Sequence, residues 1–209
     1  MQAAHAIDTE GQVWTGRTHR AGRWDTMHFQ KMKLDQNGFI YGSGIQKAQK
    51  FNFEGKTEPN GDVHLRKHYI GKHDVVYTGK INSHGEITGT WVINLPNCKE
   101  NGRFELICKQ KKWKGHYLQN GTKHIMAFGV SIHNGYVSGY GLDEAGSFYV
   151  MGNYNEHEGK VSFVKQYYGA HAVEYNGKHS KKGKVETIEG QWSIPGSGNW
   201  DTFCLEYGA

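Results

Sequence analysis

Apolar and polar residues alternate along most of this chain, in short bursts separated by turn residues. The clearest burst occurs twice: residues 63–79 read VHLRKHYIGKHDVVYTG and residues 161–177 read VSFVKQYYGAHAVEYNG. Eight of the seventeen positions are identical, and all eight carry odd numbers. A period of two belongs to a β-strand whose alternate side chains share one environment. Each stretch therefore predicts a hairpin, and the repetition predicts that one face of it has been kept.

The repetition extends to nearly the whole chain. Trp14-Thr15-Gly16 matches Trp113-Lys114-Gly115, and GFIYGSG from Gly38 matches GYVSGYG from Gly135. FNFEG from Phe51 matches FYVMG from Phe148, and ITGTWVI from Ile87 matches IEGQWSI from Ile188. Self-similarity at a period of about 98 residues signals duplication. Turn signals such as Asn37-Gly38, Asn60-Gly61, Asn120-Gly121 and Asn134-Gly135 cut each copy into about eight short strands. No segment carries a helical period with caps. Strands joined by short turns form an antiparallel meander, and closing it removes the exposed edges. The expected fold is all-β: two tandem eight-stranded antiparallel up-and-down β-barrels from an internal duplication. The first repeat spans 13–108 and the second 113–207, joined around Lys109 to Lys112 after a polar leader over 1–12. A single larger barrel or sandwich pooling both copies is the alternative.

The shared face carries aliphatic and aromatic residues interrupted by glycine, as in Ile87, Gly89, Trp91, Ile93 or Phe51, Phe53, Gly55. Glycine on a buried strand face marks the close approach of a backbone or a large ring. The pattern predicts narrow barrels filled by their own rings, with Trp14, Trp91, Trp113 and Trp192 in the cores. A ligand cavity would be small, which argues against a roomy lipid carrier.

Two ionisable residues interrupt that apolar face, Lys67 and His73, echoed by Lys165 and His171. A lysine desolvated among rings loses proton affinity and can act as a base or imine former, and a histidine beside it can shuttle a proton. With Tyr69 and Tyr77, or Tyr167 and Tyr175, they define a candidate ligand-binding set in each repeat. Asp143 and Glu144 form an acidic turn where the first copy has Gln46 and Lys47. Asp143 completes a candidate second-repeat site with Lys165, Tyr167 and His171. The bland reading places each pair near strand ends, with the lysine head reaching solvent and the histidine bonded to a carbonyl or a tyrosine hydroxyl. Duplication of the pair favours this bland reading, because catalytic sites are rarely duplicated intact.

No paired carboxylates suggest acid/base catalysis. The thirteen histidines include His64 and His68 on one strand face, too far apart to share an ion without a third element. No metal and no cofactor are expected.

The net charge of +5 permits an acidic partner without requiring one. Lysines cluster at Lys109, Lys111, Lys112 and Lys114 around Trp113, and again at Lys178, Lys181, Lys182 and Lys184. Such clusters can contact a nucleic-acid backbone, but a solvated linker and turn explain them more simply. The start of the chain has no basic n-region or apolar h-region, and no apolar run is long enough for a membrane-spanning helix. With three cysteines, an odd count, this points to reduced thiols in a cytoplasmic protein.

The opening Trp-x-Gly, the G-x-[IV]-x-G-x-G strand and the Gly-x-Trp strand resemble, in kind and order, the eight-stranded barrel of the avidin/streptavidin family. The stretch Gly169 to Gly177 is similar to that family's sixth-strand region. The resemblance implies a calycin-like up-and-down barrel. It does not extend to biotin contacts: Ala172, Glu174 and Tyr175 or Asn176 stand where the family places Ser, Thr and a Trp. The resulting expectation is a non-catalytic binding or scaffolding protein that holds a protein partner or a small apolar ligand through two barrels. The alternative is a small-molecule barrel, conceivably an enzyme, with a Lys/His/Tyr site in the second repeat.

Overall fold

Each repeat folds into eight antiparallel strands that close on themselves. This computed structural model describes residues 14–208; the polar leader lies outside the described residues. The first barrel contains β1 (Trp14–Arg20), β2 (Arg23–Leu34), β3 (Phe39–Gln46) and β4 (Gln49–Thr57). It continues through β5 (Asp62–Tyr69), β6 (Asp74–Ile81), β7 (Glu86–Leu95) and β8 (Cys98–Cys108). The second contains β9 (Lys111–Gln119), β10 (Thr122–His133), β11 (Tyr136–Asp143) and β12 (Gly146–Asn155). It ends with β13 (Lys160–Tyr167), β14 (Ala172–Lys182), β15 (Val185–Ser193) and β16 (Trp200–Tyr207). Pairing of β1 with β8 closes the first barrel, and pairing of β9 with β16 closes the second. The alternative of one pooled barrel or sandwich is thereby overturned. Only Lys109 and Gln110 separate the barrels, because β9 already takes in Lys111 and Lys112.

Turn chemistry sets the register. Asn120-Gly121 and Asn134-Gly135 hold both central residues at positive φ, the conformation that joins two twisted strands with two residues.

The alternating face points inward as the sequence pattern predicts. Phe51, Phe53, Tyr77 and Phe104 fill the first barrel through edge-to-face contacts, the preferred geometry for rings with opposed quadrupoles. All four repeat tryptophans, Trp14, Trp91, Trp113 and Trp192, are buried. Glycines make the rings fit. Gly79 and Gly89 pair across β6 and β7 beneath Phe104. A Cβ on Gly89 would come within 2.1 Å of the Thr78 carbonyl oxygen and 2.8 Å of the Phe104 ring. The second barrel repeats the device with Gly177 and Gly190 under Phe203.

The barrels meet asymmetrically. Outer-wall tyrosines of the second barrel, Tyr140, Tyr149 and Tyr168, are buried within the core of the first. Tyr140 lies 6.0 Å from the Trp14 ring, and its hydroxyl donates to the Leu34 carbonyl at 2.5 Å. Ser147 bonds the next turn, donating from Oγ to the Glu58 carbonyl at 2.5 Å and from its amide to Pro59 at 2.7 Å. The first repeat has Ser43, Asn52 and the exposed Ile70 at the positions matching those tyrosines. One end of the first barrel is thus stoppered by its neighbour. The corresponding end of the second barrel is closed by polar groups: the buried Glu186 accepts from Lys111 Nζ at 2.7 Å and faces His179 Nε2 at 3.2 Å.

Candidate functional site

The stoppered end leaves the first barrel one open mouth, built by the ends of β3, β5 and β7 and the turns between strands. A cavity of about 320 Å³ lies there. Lys67, Tyr69, His73 and Tyr77 all line it, so the structure brings the first-repeat candidates together. Gln46 and Trp91 line it as well.

Lys67 is the centre of this mouth. Its side chain projects inward from β5 on the odd-numbered face and is only 1% exposed. The expectation that its head reaches solvent is therefore wrong, because the strand parity that aims Lys67 inward leaves its stem no route past the surrounding rings. Its Nζ lies 4.9, 4.6 and 5.5 Å from the rings of Phe51, Tyr69 and Tyr77. It donates to Gln46 Oε1 at 2.5 Å, and no carboxylate among the described residues pairs with it. Desolvation pushes its pKa down to about 7. Tyr69 also donates to Gln46 Oε1, at 2.7 Å, and burial pushes that phenol up to about 12. Gln46 Nε2 donates in turn to Thr18 Oγ1 at 2.9 Å, which fixes the amide with its oxygen toward the amine. His73 packs at the rim, its ring 5.4 Å from that of Tyr69.

The second barrel presents the same set with one exchange. Lys165, Tyr167 and Asp143 converge: Asp143 Oδ2 accepts from Lys165 Nζ and, at 2.8 Å, from the Tyr167 hydroxyl. The His171 ring lies 5.1 Å from that of Tyr167, close to the His73–Tyr69 spacing. Tyr175 stacks on Phe163 at 4.8 Å deeper in the barrel. Burial lowers the Lys165 pKa, and the Asp143 charge works against that shift. Asp143, half-buried at the end of β11, is the counter-ion of a buried lysine. Its counterpart at the end of β3 is Gln46, which offers the same two donors an oxygen without a charge.

Three further features of the first mouth were not foreseen. The Lys47-Ala48 turn holds both residues at positive φ without glycine or asparagine, so no residue type announced it. Lys47 pairs with Asp25 at 2.6 Å and Arg20 with Glu100 at 2.5 Å, balancing the rim. The Trp91 indole N–H is buried without a partner, whereas Trp192 donates to the Leu118 carbonyl at 2.9 Å.

The outer walls carry a second duplicated feature. One depression is lined by Phe39, Tyr41, Glu54, His64, Arg66 and neighbours. Every residue lining it has its repeat counterpart lining another, among them Tyr136, Asn153, Ser162 and Glu174, and that second depression adds Tyr149, Tyr175 and Asn176. Elsewhere the lysine clusters are partly spent in ion pairs, Lys111 with Glu186 and Lys112 with Glu86.

No family model and no curated protein matches the chain. Among solved structures it is similar to the Burkholderia oklahomensis agglutinin, at 10% identity and a TM-score of 0.28, covering 94% of this chain and 95% of that one. It is also similar to the Myxococcus xanthus hemagglutinin, solved with a mannopentaose, at 13% identity and a TM-score of 0.27, covering 92% and 99%. Overlaps with scores this low say nothing about what this chain binds. The fold supports the tandem duplication of an eight-stranded antiparallel barrel; the expected avidin-like, calycin-like resemblance is not supported.

Proposed function

We propose that the protein is a non-catalytic binding protein whose first barrel takes a small molecule through its open mouth. One observation carries the reading: Lys67 is buried against an open cavity with no counter-ion among the described residues, while its duplicate Lys165 is neutralised by Asp143. A buried amine facing an amide is costly to keep unless something else uses it. Apolar walls with a few converging polar groups are the usual make-up of a ligand pocket. The supporting test is a thermal-shift screen of a small-molecule library on wild type and Lys67→Met. Compounds that stabilise only the wild type are expected. A set of hits indifferent to Lys67→Met would sink the reading.

A second reading places the ligand on the outer walls. The paired depressions set rings beside amides, hydroxyls and carboxylates, a mixture suited to a saccharide or a peptide strand. Two such sites on one chain would add avidity. A glycan array probed with wild type and with Tyr136→Ala tests it; signal lost in the variant would support this reading, and an array without signal would remove the saccharide.

A further inference from the structure

We infer that the ligand of the first barrel carries a carboxylate, and that this group docks against Lys67 as Asp143 docks against Lys165. The inference rests on the mouth-site reading above and adds the ligand's chemical class. Duplication supplies the template. Lysine, tyrosine, histidine and the deeper tyrosine recur in both mouths, and the acid is the member exchanged. In the second barrel one carboxylate oxygen satisfies the lysine and Tyr167 together. In the first, Gln46 Oε1 satisfies the equivalent two donors. An amide oxygen fills their hydrogen bonds but cannot balance an ammonium, so Lys67 lacks the negative charge that Asp143 gives Lys165.

Among the described residues, the surroundings do not make up that charge. Asp25 is held by Lys47 and Glu100 by Arg20, so the rim acids are already paired. Tyr69 and Tyr77 face the amine with phenols that burial keeps protonated. His73 is the remaining titratable group lining the cavity. Ring faces around Nζ favour a cation, but three rings surround Lys165 as well, so they do not stand in for the carboxylate. The rest of the lining includes Val75, Trp91, Ile93 and Leu95, which suits an apolar body behind the acid. A volume of about 320 Å³ is at the small end of ligand pockets, which fits a single-ring or branched-chain acid.

The charge change has a measurable signature. Burial brings Lys67 close to half-protonation near neutrality. An arriving carboxylate favours the ammonium, so binding above pH 7 takes a proton from the buffer.

The test is calorimetric titration with matched acids and amides: acetate and acetamide, isovalerate and isovaleramide, benzoate and benzamide, indole-acetate and its amide. Titrations at pH 8 in phosphate and in Tris read proton uptake from the difference in heat. Lysine labelled with ¹³C at Cε reports the charge on Lys67 directly. At least one acid is expected to bind ten times or more tighter than its amide, with proton uptake approaching one per site. Gln46→Glu, which supplies an internal carboxylate, is expected to abolish that binding and to move the Lys67 Cε signal to its charged position in the free protein. Acids and amides binding equally, both lost in Lys67→Met, would overturn the carboxylate and leave the mouth site standing. The same holds for benzaldehyde trapped on Lys67 by borohydride while every acid fails. Failure of every acid and amide, together with library hits indifferent to Lys67→Met, would overturn site and class alike.

Discussion

The Tyr140 hydroxyl of the second barrel donates its hydrogen bond to the Leu34 carbonyl of the first, 106 residues away in the chain. Tyr140 is fully buried by this contact although it projects from the outside of its own barrel. Tyr140→Ala is expected to cost about 3–5 kcal/mol by removing a large buried ring. Tyr140→Phe should cost only about 1 kcal/mol, the net worth of one hydrogen bond. Urea denaturation followed by tryptophan fluorescence measures both, with Trp14 beside the ring as reporter.

Burying Lys67 is costly to the first barrel. Its folded pKa of about 7 lies below the 10.5 of an ordinary lysine. Between those values the unfolded chain holds a proton that the folded chain lacks, so stability rises with pH across that window. Lys67→Met should therefore stabilise the protein by about 2–4 kcal/mol at pH 7 and below. The advantage should shrink as pH climbs toward 10.5. Paired melts of wild type and variant from pH 6 to pH 10 check the sign.

Asp143→Asn makes the opposite experiment in the second barrel. It leaves Lys165 buried without a charge partner, and a loss of about 3–5 kcal/mol at pH 7 is expected. The loss should diminish as pH rises and the lysine sheds its proton. Because this variant recreates the Gln46 arrangement, it should also gain the acid binding inferred for the first mouth. Titration with the same acids reads that gain.

Gly89 tests the ring packing. A Cβ there would meet backbone oxygen and the Phe104 ring at once, so Gly89→Ala should destabilise by about 3 kcal/mol through overpacking. A Phe104→Leu change in the same chain should recover part of that loss if ring crowding is the cause. Denaturation midpoints of the single and double variants give the answer.

The architecture was legible because duplication printed the inward face twice: identities confined to odd positions in 63–79 and 161–177 mark the residues that fill both barrels. The junction was less legible, because its tyrosines are departures from the repeat. Ser43 against Tyr140, Asn52 against Tyr149 and Ile70 against Tyr168 change polar or exposed positions into buried rings, and a comparison that sought identities passed over them. A solid run of apolar residues in β12, where Phe148, Tyr149 and Val150 are all buried, was the available signal of a strand covered on both faces. The candidate site was half legible. Parity placed Lys67 and Lys165 inward and the repeat comparison nominated Asp143 beside Lys165, but the direct bond between them, across 22 residues from β11 to β13, comes from the folded chain. The contrast with Gln46 acquires meaning only once that partnership is seen.

The junction joins the end of one barrel to the wall of another, so its two halves are different surfaces. A head-to-tail contact of that kind, made by identical units, has no inherent stopping point and builds rings or open filaments. Here the chain carries the three tyrosines on one copy only. The matching wall of the first barrel keeps Ser43, Asn52 and Ile70, and the free end of the second is occupied by Glu186, Lys111 and His179. Divergence after duplication has thus made this contact one of a kind within the two copies: neither the matching wall of the first barrel nor the matching end of the second carries the residues that would repeat it, and the Lys67 mouth lies at the end away from the junction.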